Sequence, residues 1–163
     1  MRYGLMSNFR RSWSKVGRRA VMPQKQAFSN SYLFTAIAPL TGESFHLMCL
    51  DEMSTETELV FLTELKKQHP HRNVVVVIDN APCHKPECLH VIPGLSIIYL
   101  PPYSPELNPI ERFFEEIRRT TCNTVFSTME ALEDTITDAV NRWTPEMLKQ
   151  LCGYDWIREQ CLG

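Results

Sequence analysis

Not one Asp or Glu occurs in the first 42 residues. The same stretch holds Arg2, Arg10, Arg11, Lys15, Arg18, Arg19 and Lys25, so the front of the chain is basic without any balancing charge. The other ten Lys and Arg stand against all 19 acidic residues, and the formal net charge of −2 conceals the split. The absence excludes carboxylate chemistry from this region. A front end of one sign suits a polyanion such as nucleic acid, and Tyr3, Phe9 and Trp13 add stacking surfaces between the charges. A solvated basic tail is the plainer alternative. Long apolar runs are also missing. None approaches the roughly 18 residues of a membrane span, and no apolar signal core follows the basic start, so a cytosolic protein is expected. The six cysteines have no framework spacing, which excludes a disulfide-stapled scaffold and leaves reduced thiols. Cys83, His84, Cys88 and His90, with His69 and His71 nearby, match no standard zinc pattern.

What is present centres on Asn73 to His84. Five consecutive β-branched residues, Val74 to Ile78, leave no polar face, which predicts a strand covered on both sides. The run stops at Asp79, followed at once by Asn80, Ala81 and Pro82. The carboxyl end of a buried strand is where open α/β sheets place ligands and chemistry. Asp79 could equally do no more than cap that turn.

The other elements arrange themselves around this strand. Ser31 to Ala38 and Glu43 to Leu50 read as a hairpin about the turn Pro39-Leu40-Thr41-Gly42. A helix starts at Ser54 or Thr55, with capping-box spacing between Thr55 and Glu58 and an apolar stripe at Leu59, Leu62 and Leu65. A short helical stretch is expected over Lys85 to Val91, and a second buried strand over Leu95 to Leu100, ended by Pro101 and Pro102. Asn108-Pro109 begins a helix reaching about Thr120. Ser127, boxed by Glu130, begins another, carrying Leu132, Ile136, Val140 and Trp143. Thr144-Pro145 starts a last one that Gly153 ends. At 163 residues this is one domain. It divides into an irregular basic segment over 1–27, with a possible short strand near Arg19 to Met22, a sheet and active-site core over 28–120, and C-terminal helices over 121–163.

Asp79 and Glu111 lie 32 positions apart, across one strand–helix–strand crossover. A right-handed crossover makes the two strands parallel neighbours with their carboxyl ends at one edge, so both carboxylates can meet across a cleft. Such a pair suits a hard divalent cation. Two ions about 4 Å apart could activate a water or a 3′-hydroxyl for in-line attack on a phosphodiester. Glu111 has a second reading, as the N3 member of a capping box with Asn108. Glu115, one turn along the same helix face, competes for the role of acid, while Glu116 points elsewhere.

Val-Ile-Asp-Asn-Ala-Pro-Cys-His (77–84), followed by Tyr-Leu-Pro-Pro-Tyr-Ser-Pro-Glu-Leu-Asn-Pro-Ile-Glu-Arg-Phe (99–113), resembles the DDE transposases of the mariner superfamily, most closely those of bacterial insertion sequences. The likeness extends to Tyr3-Gly4-Leu5, Trp13, Gly17-Arg18-Arg19, the Thr41-Gly42-Glu43 turn and the final helices. It implies an α/β, ribonuclease H-like fold and Mg²⁺- or Mn²⁺-dependent cleavage and joining of DNA at transposon ends. By this resemblance Asp79 is the second catalytic acid and metal ligand and Glu111 the third. Asn80 and His84 fall near the site. The DNA partners implied are transposon ends and target, contacted through Arg10, Arg11, Lys15, Arg18 and Arg19. The full-length enzyme is expected to be a homodimer in the bacterial cytoplasm, on the nucleoid when bound.

The family's first catalytic Asp stands on a strand just ahead of the segment matched by Arg2 to Leu5. The sequence therefore predicts a fold lacking its first strand, with two of three carboxylates and little or no activity alone. Asp51-Glu52, at the end of the hairpin, is too near the sheet edge to substitute. The helix-turn-helix that would read the transposon end is also absent from these residues. A non-catalytic DNA-binding or oligomerising remnant is the alternative of a different class, and a phosphoesterase of another family is a third.

Overall fold

A computed structural model of the protein describes residues 1–7, 10–11, 13–18, 21, 29–49, 54–79 and 91–162. Five strands and five helices follow in the order β1 (Arg2–Gly4), β2 (Asn30–Ile37), β3 (Ser44–Cys49), α1 (Thr55–Gln68), β4 (Val74–Ile78), β5 (Leu95–Tyr99), α2 (Ile110–Thr121), α3 (Met129–Asn141), α4 (Pro145–Cys152) and α5 (Asp155–Leu162). β1, β2 and β3 form an antiparallel sheet, and β4 and β5 form a separate parallel pair. The predicted hairpin is β2–β3, with Ile37 opposite Ser44. Its turn needs Gly42, whose φ is +78° and whose added Cβ would fall 1.9 Å from the Pro145 carbonyl oxygen.

The helices begin on side-chain caps. Ser54 Oγ accepts from the Thr57 amide while Thr57 Oγ1 accepts from the Ser54 amide, so the box of α1 sits one residue earlier than the predicted Thr55/Glu58 pair. Glu58 is instead buried. Thr128 caps α3, one residue after the predicted Ser127, and Thr144 caps α4 as expected. Asn108 Oδ1 accepts from the Ile110 amide at the start of α2. α5 goes beyond the expected final helix, and β1 is a strand inside the segment read as irregular. The stretches near Arg19 to Met22 and over Lys85 to His90 lie outside the described residues, apart from Val21.

Two cores result. The larger packs α2, α3 and α4 onto one face of β1–β3 through Leu33, Phe113, Ile117, Ile136 and Leu148. The smaller packs Phe61 and Leu62 of α1 against Leu95, with Phe34 and Phe45 on the hairpin and Val76 and Ile97 on the parallel pair. One helix therefore spans both sheets on a common face.

The central strand differs from expectation. Val76 packs under α1, but Val75 and Val77 are 58% and 51% exposed on the opposite face. Ile98 of β5 is 54% exposed on the neighbouring strand. The reason is the placement of α2–α4, which cover the antiparallel sheet and leave the parallel pair with one covered face. β-branched residues favour the strand conformation whether or not both faces are buried.

Candidate active site

Asp79 directly follows β4 and Glu111 lies in the first turn of α2. β4 and β5 are parallel, with Ile78 opposite Tyr99, so the chain leaves both strands at the same edge as the crossover argument requires. From there the Pro101 to Asn108 segment, with a single 3-10 turn at Pro105–Leu107, carries the chain to α2. Asp79 is exposed and Glu111 partly so.

Asp79 and Glu111 both act electrostatically on the Met1 amino group. The Met1 ammonium donates to the Leu33 carbonyl at 2.6 Å, extending the β1 line by one residue. Burial pushes its pKa down to about 6, Arg118 pushes the same way, and Glu111 and Asp79 both oppose them.

α2 divides cleanly. Phe113, Phe114 and Ile117 face the core, while Glu111, Glu115 and Arg118 share the outer face at helical spacing. Glu111 pairs with Arg118 at 3.9 Å, and no capping bond from its side chain to Asn108 is present among the described residues. Glu115, the competing acid, is held by Arg10 and Arg119, each at 3.3 Å. Glu111, Glu115, Arg10, Arg112 and Arg118 line one open cleft of about 400 Å³. Asp79 is not part of its wall.

The footing of α2 is apolar and neutral. His46 of β3 stacks on Phe113 at 5.5 Å, and its ring nitrogens bond to Thr35 and Ser44, each at 3.1 Å. Burial pushes its pKa down to about 4, so the ring is uncharged at neutral pH. The Cys152 thiol, pushed up to about 11 by burial, lies 3.6 Å from the Pro109 carbonyl and steadies the helix entrance. Arg112 stacks over Tyr154, 4.4 Å from the ring centre.

Of the basic residues singled out, Arg10, Arg11, Lys15 and Arg18 are exposed, and the Arg10 amide is tied to Asn123 Oδ1 at 2.9 Å. Trp13 among them is fully exposed. Arg19, Asn80, His84, Asp51, Glu52 and the Cys83/His84/Cys88/His90 cluster lie outside the described residues. Among the described residues no group of three His, Cys, Asp or Glu could hold a metal. Sequence reasoning missed Arg118, although its spacing of two turns from Glu111 was legible. It also missed the Met1 amino group and the Arg112–Tyr154 stack, which only tertiary structure brings in.

Comparison with known proteins agrees with this architecture. The profile of the DDE superfamily endonucleases matches residues 2–133. An uncharacterized protein of Sinorhizobium fredii (strain NBRC 101917 / NGR234) is 32% identical over 89 residues, which is 54% of this chain and 65% of that protein. The Mos1 strand transfer complex superposes with a TM-score of 0.72 at 14% identity, over 94% of this chain and 48% of the Mos1 chain. The Mos1 mariner paired-end complex with Mn gives 0.71 at 15% identity, over 94% and 49%. The fold is therefore the expected ribonuclease H-like one. The chain spans about half the length of these solved chains. No described helix is long and apolar enough to cross a membrane.

Proposed function

Since the chain belongs to the DDE superfamily of endonucleases, we propose that it is the catalytic part of a DNA transposase, working by metal-dependent strand cleavage and transfer at transposon ends. The observation that supports this reading is the parallel pairing of β4 and β5, which sends the chain off one sheet edge at Asp79 and, through the Pro101 to Asn108 segment, on to Glu111 in the first turn of α2. Two carboxylates at one sheet edge suit a hard divalent cation, Mg²⁺ or Mn²⁺, with Asp79 and Glu111 as its ligands. When bound, the ion supplies an activated water or 3′-hydroxyl and stabilisation of the leaving oxygen.

The chain's own residues prepare the rest. Arg118 orients the Glu111 carboxylate on the cleft side of α2. Arg10 and Arg112, in the same cleft, receive phosphate oxygens, and Arg11, Lys15, Arg18 and Arg19 extend that contact along the acid-free front segment. Asn80 and His84 fall on family motif positions that follow Asp79 in the sequence. The partners are transposon-end and target DNA, bound as a homodimer in the full-length enzyme, in the bacterial cytoplasm.

With two acids where the family uses three, the 163 residues alone bind metal weakly and cleave poorly. A nicking assay on supercoiled plasmid with purified protein and Mn²⁺ tests this, with DNA binding measured in parallel. The expected result is DNA binding with nicking at background for both wild type and Asp79→Asn. Strong cleavage that Asp79→Asn abolishes overturns the incompleteness of the site. Failure to bind either Mn²⁺ or DNA overturns the transposase reading itself.

A further inference from the structure

One carboxylate oxygen on the outer face of α2 joins two arginines. Glu115 Oε1 accepts from Arg10 Nη2 and from Arg119 Nη2, each at 3.3 Å. Arg10 belongs to the acid-free front segment and Arg119 to the next turn of α2, so only the fold brings them to a common oxygen.

Both arginines are also anchored independently of Glu115. The Arg10 amide donates to Asn123 Oδ1 at 2.9 Å. Asn123 follows α2 with φ at +61°, a conformation that asparagine tolerates better than most residues. Arg119 Nη1 donates to Glu116 Oε1. The two guanidinium groups therefore remain neighbours when the Glu115 carboxylate turns away. Their like charges then attract another anionic oxygen to the same point.

The chemistry of the bridge says which anion fits. The side chains of Arg10, Glu115 and Arg119 are 38%, 48% and 52% exposed. Ion pairs this exposed are weak and screened by salt, so a better anion displaces them. Guanidinium groups favour phosphate, whose several oxygens accept from two arginines at once. Position narrows the source of that phosphate. Glu115 lines the cleft that also holds Glu111, one turn away on the same helix face. Four helical residues rise about 6 Å, roughly the rise of two nucleotides along one DNA strand.

We propose that Arg10 and Arg119 form a site for a DNA backbone phosphate about two nucleotides from the cleavage point, which the Glu115 carboxylate fills until DNA displaces it. Glu115 then gates phosphate binding and is not a metal ligand. The distance from the cleavage point rests on the transposase reading, whereas the two-arginine anion site does not.

Two titrations of the 163-residue chain test this, with Glu115→Ala and Glu106→Ala compared with wild type. Glu106 lines the same cleft outside the bridge, so its loss removes an equal charge without freeing Arg10. The first titration follows the arginine Nε–H resonances as inorganic phosphate is added. In Glu115→Ala the Arg10 and Arg119 signals are expected to shift at phosphate concentrations at least about tenfold below those needed in wild type or Glu106→Ala. The second measures fluorescence anisotropy of a labelled duplex against salt. Glu115→Ala is expected to bind about tenfold tighter at low salt, with a log–log salt slope steeper by about 1. Adding Arg10→Ala is expected to cancel that gain. Equal gains in Glu115→Ala and Glu106→Ala overturn the proposal, since charge alone would account for them. Weaker phosphate and duplex binding in Glu115→Ala overturns it too, because the bridge would then be a structural tie. Phosphate shifts as expected with no duplex binding in any variant support the anion site and overturn the transposase reading.

Discussion

The two carboxylates stand on scaffolds of unequal solidity. Glu111 rides on α2, whose inner face carries Phe113 and Ile117 at 0% exposure, locked between the hairpin and α3–α4. Asp79 follows a strand that is paired on one edge among the described residues, with two of its five side chains more than half exposed. The difference teaches that a site can be rigid in one ligand and loosely supported in another. It also explains why the cleft around Glu111 is well defined while Asp79 lies outside its wall.

The sharpest way to break the contrast is a pair of truncations read by urea unfolding. Phe113→Ala removes a ring in contact with His46, Phe114 and Trp143 and is expected to cost about 3–5 kcal/mol. Val77→Ala is expected to cost less than about 1 kcal/mol. Similar costs for both would mean that β4 is buried in solution and the contrast false.

A second test uses pH. His46 lies on the solid side with its pKa lowered to about 4 from an ordinary value of 6.5. The unfolded chain then takes up a proton that the folded one refuses. Stability is therefore complete above about pH 6.5 and falls as the pH drops toward 4. The loss expected between pH 6.5 and 5 is about 2 kcal/mol, and His46→Gln should flatten that slope. The smallest effect concerns the helix shared by both sheets: Ser54→Ala removes the α1 cap and is expected to cost about 1 kcal/mol, with faster amide exchange in the first turn.

Much of this was legible in the chain itself. The turn with Gly42, the caps at Ser54 and Thr144 and the crossover joining β4 to β5 all follow from local chemistry, which acts over a few residues. That β4 and β5 run parallel and leave the sheet at one edge was readable because crossover connections obey a nearly invariant rule. What failed was burial. Five β-branched residues promise a strand but do not say what covers it, and for Val75 and Val77 the answer lay in where α2–α4 came to rest. Arg118 beside Glu111 was within reach of helical spacing. The burial of the Met1 amino group was not, since only the pairing of β1 with β2 sets it against the Leu33 carbonyl.

Mn²⁺ titration of the ¹⁵N-labelled protein tests the central claim most directly, because a paramagnetic ion broadens the resonances of whatever lies near it. The account predicts that the amides of Asp79 and Glu111 broaden together at one Mn²⁺ concentration, and that either Asp79→Asn or Glu111→Gln abolishes broadening at both. Broadening at one position alone, or at Glu115 with Asp79 unaffected, would contradict it.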